Sequence, residues 1–301
     1  MKRPALDAMR AAPRLVWHDV LRAGMILAEP TRRSARQRAL ARALADASPR
    51  PRPAHPIVLL MVYRRANAAL VELMARQAGP GADVRLWALD SPAPSLAPHT
   101  LGRGPGRRFE NLNRLLAARS VAPGSWIVVA DDDTFFVRGG LARLMERMET
   151  AGFAIGQPAH DLRSWWNSPF TLARPGLVAR ETAYVEQGPV AVFSPEAQAL
   201  VLPLPESNDM GWGVEAQWSS LRARGLRLGI VDESRVVHAQ RPASAYDPSV
   251  ERARMRERVA AAGLGSIWEI QRTLARWRAS EASPPPSGDT SGGGPGGSRA
   301  L

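Results

Sequence analysis

Three consecutive carboxylates, Asp131, Asp132 and Asp133, follow the most apolar segment of the chain, residues 126–130. Like charges a few ångströms apart repel and raise one another's pKa, so the cluster is costly unless a cation neutralises it. Alternate side chains of an extended segment face the same side, so Asp131 and Asp133 can point together while Asp132 points elsewhere. The spacing predicts a site for Mg²⁺ or Mn²⁺, which take oxygen ligands and leave positions for phosphate oxygens. An acidic turn solvated at a strand end is the alternative interpretation.

A second segment suited to chemistry is Gly-Trp-Gly-Val-Glu at residues 211–215. Its glycines permit backbone conformations that side chains forbid, and Trp212 offers a flat apolar face for stacking. Glu215 stands near the start of a predicted helix, residues 212–224, where a carboxylate is favoured. An acid that only interacts with the helix dipole is the alternative reading of Glu215.

Strands and helices alternate ahead of the acidic triplet, which predicts an α/β fold. A strand at 57–63, a helix at 66–77 and a strand at 84–89 form a parallel strand pair. A helix at 107–119 then leads to the strand at 126–130. Ligands of open α/β sheets bind beyond the carboxyl ends of parallel strands, which is where the triplet lies.

The remaining periodicity predicts further elements and a domain plan. Helices are expected at 139–150, 251–262 and 266–278, and strands at 153–157, 190–193, 228–231 and 235–238. The plan has four parts: a helical appendage with a proline-rich linker at 1–54, a catalytic domain at 55–245, closing helices at 246–280, and a tail at 281–301. The tail is rich in Pro, Gly and Ser and is expected to be disordered.

The overall composition limits the partners and the compartment. The formal charge is +12, which suits an anionic partner such as nucleic acid, a membrane surface or a phosphorylated substrate. The arginines are scattered over predicted helices, as on solvated faces, so nucleic acid is not the expected partner. No apolar run reaches the roughly 18 residues of a membrane span. With no cysteine, a metal must be held by oxygen and imidazole. We expect a soluble cytoplasmic protein, with at most a peripheral contact at the inner face of the membrane.

Several motifs occur in one order along residues 56–245. They are the strand and helix from Ile57, the strand 84–89 ending in Asp90, Gly-Arg-Arg-Phe-Glu-Asn-Leu-Asn at 106–113 before Ala-Asp-Asp-Asp at 130–133, and Met-Gly-Trp-Gly-Val-Glu at 210–215 before Val-Val-His at 236–238. Together they resemble the GT-A glycosyltransferases, especially the family 2-like bacterial enzymes. The resemblance implies a Rossmann-like three-layer α/β/α fold with a mostly parallel central sheet. It also implies metal-dependent transfer of a sugar from a nucleotide-diphosphate donor to an acceptor, with inversion.

The resemblance also assigns roles in donor binding. The flat apolar face of Trp212 would contact the sugar. Asp90 would hydrogen-bond the nucleotide base, although capping the turn before Ser91 explains it equally well. The basic and amide residues ahead of the metal strand would approach the base or the phosphates, with some of them on a solvated helix surface; they are Arg107, Arg108, Asn111 and Asn113.

For the metal, the resemblance implies Asp133 as a ligand, with Asp131 nearer the ribose or the metal and Asp132 among the nucleotide contacts. His238 would be a further metal ligand or phosphate contact, or simply a polar residue at a strand end. The cofactor would be Mn²⁺ or Mg²⁺.

For catalysis, the resemblance makes Glu215 the general base that takes a proton from the acceptor hydroxyl, with Asp209 in reserve. Glu stands where many relatives have Asp, which leaves this assignment open. Such a base must reach the hydroxyl on the face of the sugar opposite the leaving diphosphate. Trp165, Trp166 and Tyr184 could form the acceptor side or could be core residues. The acceptor itself, a glycan, a lipid or a small molecule, is not encoded in a motif.

Three other functions remain open. A strand ending in Asp-Asp-Asp-Thr also resembles the nucleophile strand of haloacid-dehalogenase-type phosphatases, but Phe135 replaces the expected Thr or Val. That family also uses a lysine beside the phosphate, and Lys2 is the only lysine. A basic nucleic-acid-binding protein has charge as its sole support. A catalytically inactive GT-A-like protein would keep the fold without turnover.

Overall fold

The computed structural model describes residues 19–206, 210–241 and 248–278. Seven helices are used below, and a further helical segment at 19–27 precedes them. The helices are α1 Glu29–Ala45, α2 Ala68–Gln77, α3 Arg108–Ala118, α4 Gly140–Ala151, α5 Pro195–Val201, α6 Val214–Ser220 and α7 Pro248–Ala261. Within the described ranges, no helix is long and apolar enough to span a bilayer.

Ten strands form one sheet. They are β1 Ile57–Tyr63, β2 Asp83–Ala88, β3 Thr100–Arg103, β4 Trp126–Asp131, β5 Thr134–Arg138, β6 Ile155–His160, β7 Leu177–Thr182, β8 Val190–Phe193, β9 Leu228–His238 and β10 Thr273–Arg278. Their order is β10-β7-β9-β6-β8-β4-β1-β2-β3, and β5 pairs with β9 off this path.

The centre of the sheet is mostly parallel, as the sequence predicts. Strands β3, β2, β1 and β4 are joined by parallel pairs, and β6 is parallel to β9. Strand β8 runs antiparallel to both β4 and β6, so it links the two parallel groups. As a result the carboxyl ends of β1, β4, β6 and β9 meet at the same edge of the sheet.

Two apolar layers cover the faces of the sheet. Along β1, Leu59 and Met61 pack into one layer with α2 and α4, while Val58 and Leu60 pack into the other with α3, α5 and α6. The alternation explains why the central strands are apolar throughout: both of their faces are buried. The arrangement is a three-layer α/β/α fold.

The C-terminal segment differs from the prediction. The helix expected at 266–278 is wrong, because residues 273–278 form β10, antiparallel to β7. The side chain of Trp277 is buried and packs edge-on against Phe153, whereas its neighbours Arg276 and Arg278 are exposed. This period of two fits an edge strand, and tertiary pairing therefore outweighs helical propensity there. The tail at 281–301 lies outside the described residues.

Candidate functional site

The acidic triplet meets His238 through the pairing of two short strands. β5 begins directly after the triplet, and its Thr134 stands opposite His238 at the end of β9. The Nε2 atom of His238 lies 3.0 Å from Oδ1 of Asp133 and 4.0 Å from Oδ2 of Asp131. One ligand atom from each of these three side chains lies within 4.8 Å of the others. Such a group of two carboxylates and an imidazole can hold a divalent cation.

Neighbouring groups balance the charge of this cluster. The guanidinium of Arg108 lies 2.6 Å from Oδ1 of Asp131, and the backbone N–H of Gln240 donates to Oδ2 of Asp133. Burial alone would lower the pKa of His238, but the Asp133 carboxylate beside it raises that pKa to about 9.

Asp132 points away from the other two carboxylates, as alternation predicts. Its Oδ2 accepts hydrogen bonds from the backbone N–H of Arg64 and from Nδ2 of Asn67, at 2.8 and 2.9 Å. Burial raises its pKa to about 6 despite these bonds. Asp132 therefore fixes the start of the segment after β1 and lines the edge of the same cavity.

The four candidates near α3 have different environments. Arg107 and Arg108 line the cavity beside the triplet. Asn111 is fully buried, with its Oδ1 accepting from Arg114. The Asn113 amide bonds the backbone N–H and C=O of Leu204 and so holds a loop. Neither Asn111 nor Asn113 is among the residues that line the cavity.

Two other candidates lie at or beyond the limits of the site. Asp90 is exposed and accepts from the backbone N–H of Arg65 at 2.9 Å, next to the cavity wall residue Leu89. This bond joins Asp90 to the segment after β1 and not to the turn before Ser91, so both roles of Asp90 remain predictions. Asp209, the reserve base, lies outside the described residues.

The Gly211-Trp212-Gly213 turn is held by close packing. Gly211 has φ +87°, and a Cβ added there would lie 2.3 Å from the ring of Phe109 on α3. Gly213 has φ +90°, and a Cβ added there would lie 3.0 Å from the backbone of Met255 on α7. Only glycine suits these positions, and the turn presents Trp212 to the cavities.

Glu215 is the second residue of α6 and is 5% exposed. Its Oε2 accepts from the N–H of Gly213 at 2.8 Å, and its Oε1 accepts from the N–H of Gln187 at 3.4 Å. Burial raises its pKa to about 7, and the nearby charge of Glu186 adds to this effect. A carboxyl with this pKa can gain or lose a proton near neutral pH, which suits general acid or base chemistry.

Two cavities meet at this turn. The first, about 380 Å³, contains Asp131, Asp133, His238 and Arg108. The second, about 600 Å³, contains Glu215 and has aromatic and apolar walls. The residues that line both cavities are Asn167, Glu186, Gln187, Trp212 and Arg241. The residues that could hold a metal and the buried Glu215 therefore line adjoining cavities.

The loop between β7 and β8 contributes residues that sequence reasoning missed. Gly188 approaches Asp131 so closely that a Cβ there would lie 2.9 Å from its Oδ2. Glu186 and Gln187, in the same loop, line both cavities. A glycine before a proline was the only local signal. Of the aromatic candidates, Tyr184 lines the second cavity, whereas Trp165 and Trp166 pack with Met25 as core residues.

Comparison with known proteins supports the fold. No family model and no curated protein matches the sequence. Solved structures do match, among them GalNAc-T7 with UDP, GalNAc and Mn²⁺, with a TM-score of 0.50 and 11% identity. The chain has the GT-A fold of nucleotide-sugar transferases. That match covers 68% of this chain and 48% of the other, so it spans about half of GalNAc-T7.

Two further matches are weaker in TM-score. One is the mannosyltransferase PcManGT from Pyrobaculum calidifontis in complex with GDP-Man and Mn²⁺, with a TM-score of 0.49 and 16% identity. The match covers 81% of this chain and 75% of PcManGT. The other is S. aureus TarS 1-349 in complex with UDP-GlcNAc, with a TM-score of 0.44 and 11% identity. This match covers 68% of this chain and 66% of TarS 1-349.

Proposed function

We propose that the protein is a metal-dependent glycosyltransferase that moves a sugar from a nucleotide-diphosphate donor to an acceptor hydroxyl, with inversion. One observation carries the proposal: a cavity with a metal-binding group of residues adjoins a cavity with a buried acid, and Trp212 lines both. A donor in the first cavity and an acceptor in the second would meet beside Trp212. The GT-A fold and the complex of GalNAc-T7 with UDP and Mn²⁺ agree with this assignment.

On the donor side, Asp131, Asp133 and His238 would hold Mn²⁺ or Mg²⁺. Their oxygen and imidazole donors fit such an ion, and the imidazole favours Mn²⁺, because Mg²⁺ prefers oxygen ligands only. The bound ion supplies positive charge to the diphosphate as it leaves. Arg107 and Arg108 line the same cavity and would contact phosphate oxygens. Asp90, at its rim, would accept a hydrogen bond from the base.

On the acceptor side, Glu215 would be the general base. Its carboxylate takes the proton of the acceptor hydroxyl, and the hydroxyl oxygen forms a bond to the anomeric carbon. The bond from that carbon to the diphosphate oxygen breaks, and the diphosphate leaves with the electron pair. The buried position of Glu215 excludes water from this step, and two backbone N–H groups orient the carboxylate.

The walls of the second cavity indicate what an acceptor must present. Tyr184, Trp212 and Trp268 offer aromatic faces, on which the apolar face of a sugar ring or an aglycone can stack. Gln187 and Asn167 add amide groups where this cavity joins the first. These features suit an acceptor with one flat apolar face and one reacting hydroxyl.

Thermal stabilisation tests the donor half of the proposal. The protein is heated with UDP-, GDP-, dTDP- and CDP-sugars, each with and without Mn²⁺. A ligand that binds only the folded state raises the melting temperature. We expect one nucleotide class to raise it, and to do so only with the metal present. If none of the donors stabilises the protein in a metal-dependent manner, the proposal is contradicted.

Turnover tests the catalytic half. Transfer or hydrolysis of the stabilising donor should be lost in Asp133→Ala and in Glu215→Ala. Donor binding without turnover in the wild type would identify an inactive GT-A-like protein. Acid-stable phosphate trapped on Asp131 would instead support a phosphatase, and salt-dependent DNA binding without nucleotide-sugar binding would support a nucleic-acid function.

A further inference from the structure

The helical segment 19–27, which precedes α1, stands out from the surface of the domain. Met25 is buried and packs against Trp165 and Trp166, whereas the other residues of the segment are exposed. The segment is therefore anchored to the domain on one side, and its remaining sides face solvent.

Apolar residues cover the exposed sides of this segment. Four of them have the spacing i, i+3, i+4 and i+7, so they form one stripe along the helix. They are Val20, Ala23, Gly24 and Leu27. The stripe is exposed to solvent along its whole length, and Leu27 in it is 83% exposed.

A loop after β6 extends the apolar surface. The guanidinium of Arg32 donates to the backbone carbonyls of Met25 and Leu162, at 3.4 and 3.0 Å, and so holds this loop beside the segment. Large apolar side chains seldom cluster on the surface of a soluble protein, and a cluster marks an interaction site. Of the eight that are exposed within the described ranges, five lie here and are called the apolar face below: Val20, Leu21, Ile26, Leu27 and Leu162.

The charges beside the apolar face are mostly positive. Arg22 in the segment and Arg33 on α1 are exposed, and neither has a hydrogen-bond or ion-pair partner among the described residues. The acids nearby are Asp19 and Glu29, and Glu29 is already paired with Arg36. An occupant of this face should therefore be anionic as well as apolar.

Two occupants that the chain itself could supply have the wrong charge. A second copy carries a formal charge of +12 and would bring the same basic surface. Residues 1–18 contain four basic residues and one acid. A bilayer with anionic headgroups fits both features, because it takes up an exposed apolar helix face at the headgroup level while arginines reach the phosphates.

We infer that the apolar face docks on an anionic membrane surface, with segment 19–27 lying in the plane of the interface. Such a helix binds without the length that a membrane span needs. Asp19 and Arg22 of the same segment also line the second cavity, so the membrane would lie beside the cavity that contains Glu215. The inference does not depend on the proposed function, since no nucleotide sugar is needed for this contact.

Site-specific fluorescence tests the inference. The chain has no cysteine, so Leu27→Cys gives a single site for a polarity-sensitive dye on the apolar face. Leu44→Cys is the matched control, because this leucine is also exposed but lies near the C-terminal end of α1. Vesicles contain phosphatidylcholine alone or equal parts of phosphatidylcholine and phosphatidylglycerol. Val20→Cys, on the same stripe, serves if Leu27→Cys does not fold.

We expect the protein to sediment with the anionic vesicles and less with the neutral ones. The dye at position 27 should then shift to shorter wavelength, whereas the dye at position 44 should not. Unlabelled Leu27→Ser should lower the partition coefficient about tenfold relative to Leu44→Ser, because a leucine is no longer buried in lipid.

Three results would overturn the inference and leave the proposed function untouched. The first is no binding to anionic vesicles. The second is sedimentation without a shift at position 27, because a chain with a charge of +12 can adsorb by charge alone. The third is an apolar environment at position 27 before vesicles are added, because the face would then be covered by the chain itself or by a second copy.

Discussion

The Nε2 atom of His238 lies 3.0 Å from Oδ1 of Asp133, although the two residues belong to different strands. The register between β5 and β9 creates this contact by setting Thr134 opposite His238. Because Asp131 completes the group, the three side chains could hold one cation together. A substitution at any of them should therefore affect metal-dependent binding more than folding.

His238→Gln tests this relationship. Losing one of three protein ligands should weaken Mn²⁺-dependent binding of the nucleotide diphosphate by at least about tenfold. The matched control is His55→Gln, since His55 is paired with Glu149 and lines neither of the two cavities. Calorimetry with and without Mn²⁺ measures the effect. Equal affinities in the two variants would remove His238 from the metal site.

Glu215→Gln should reduce kcat without a comparable change in donor affinity. A general base typically contributes about 10² to 10⁴ in rate, and Gln cannot take the proton. Glu196 offers a matched control, because it is the second residue of α5, a helix of seven residues like α6. If Glu215 acted only on the helix dipole, Glu215→Gln and Glu196→Gln would change kcat to the same extent. Steady-state kinetics with the stabilising donor compares the two.

The activity of the wild type should rise with pH through about 7. The pKa of Glu215 is raised to about 7 by burial, and only the deprotonated form can act as the base. The rate should therefore fall about tenfold for each unit below that pKa and level off above it. Initial rates between pH 5.5 and 8.5, at saturating metal and donor, measure the profile. A rate that is flat across this range would exclude Glu215 as the base.

The Glu215 carboxyl should also make the unfolding free energy depend on pH. This free energy should fall as pH rises, whereas the activity should increase. A carboxyl with a raised pKa binds its proton more tightly in the folded state, so its stabilising effect is complete below the unfolded value of 4.5 and is lost as pH rises through about 7. Relative to Glu215→Gln, the wild type should lose about 2 to 3 kcal/mol of unfolding free energy between pH 5 and 8.5. Urea unfolding at both pH values gives the difference. A constant gap would show that the Glu215 carboxyl is not buried.

The sequence predicts the donor half of the site better than the acceptor half. The runs at β1 and β4 are apolar throughout because both faces of these strands are buried, and this local signal also fixes where Asp131 and Asp133 lie. The approach of His238 depends on pairing between β5 and β9, which no local pattern encodes. Strand β5 itself, Thr134–Arg138, follows the triplet too closely to be separated from it by periodicity.

Glu186 illustrates a second limit. It stands in a loop with no periodic pattern, and its position beside both cavities depends on contacts with Gln157, Asn167 and His160, which belong to or follow β6. Likewise, β10 is a strand only because β7 offers an edge to pair with. Such contacts between distant segments become visible in the fold alone.

Gly211→Ala should destabilise the turn that presents Trp212. The new Cβ would lie 2.3 Å from the Phe109 ring, and the residue would keep φ near +87°. Backbone strain and overpacking each cost about 1 to 3 kcal/mol. Gly225→Ala is the control, because it has φ +88° with no atom within 4 Å of the added Cβ. Urea unfolding should show the larger loss at Gly211, and Phe109→Leu should recover part of it in a double-mutant cycle.

Arg108→Ala should separate metal binding from diphosphate binding. The Arg108 guanidinium lies 2.6 Å from Oδ1 of Asp131, so it competes with a cation for that carboxylate. Its removal should leave the affinity for Mn²⁺ alone unchanged or higher, in contrast to His238→Gln. Affinity for the nucleotide diphosphate with saturating Mn²⁺ should fall about tenfold, because a charged hydrogen bond to phosphate is lost.

The control for this comparison is Arg119→Ala at the end of the same helix, where the arginine is exposed and pairs with Asp83 outside the cavity. It removes the same charge without touching Asp131, so a general effect of net charge on nucleotide binding would appear in both variants. Calorimetry of Mn²⁺ first, and of the diphosphate second, measures the two steps separately. A loss of Mn²⁺ affinity in Arg108→Ala would mean that Arg108 orients Asp131 as a ligand and does not compete for it.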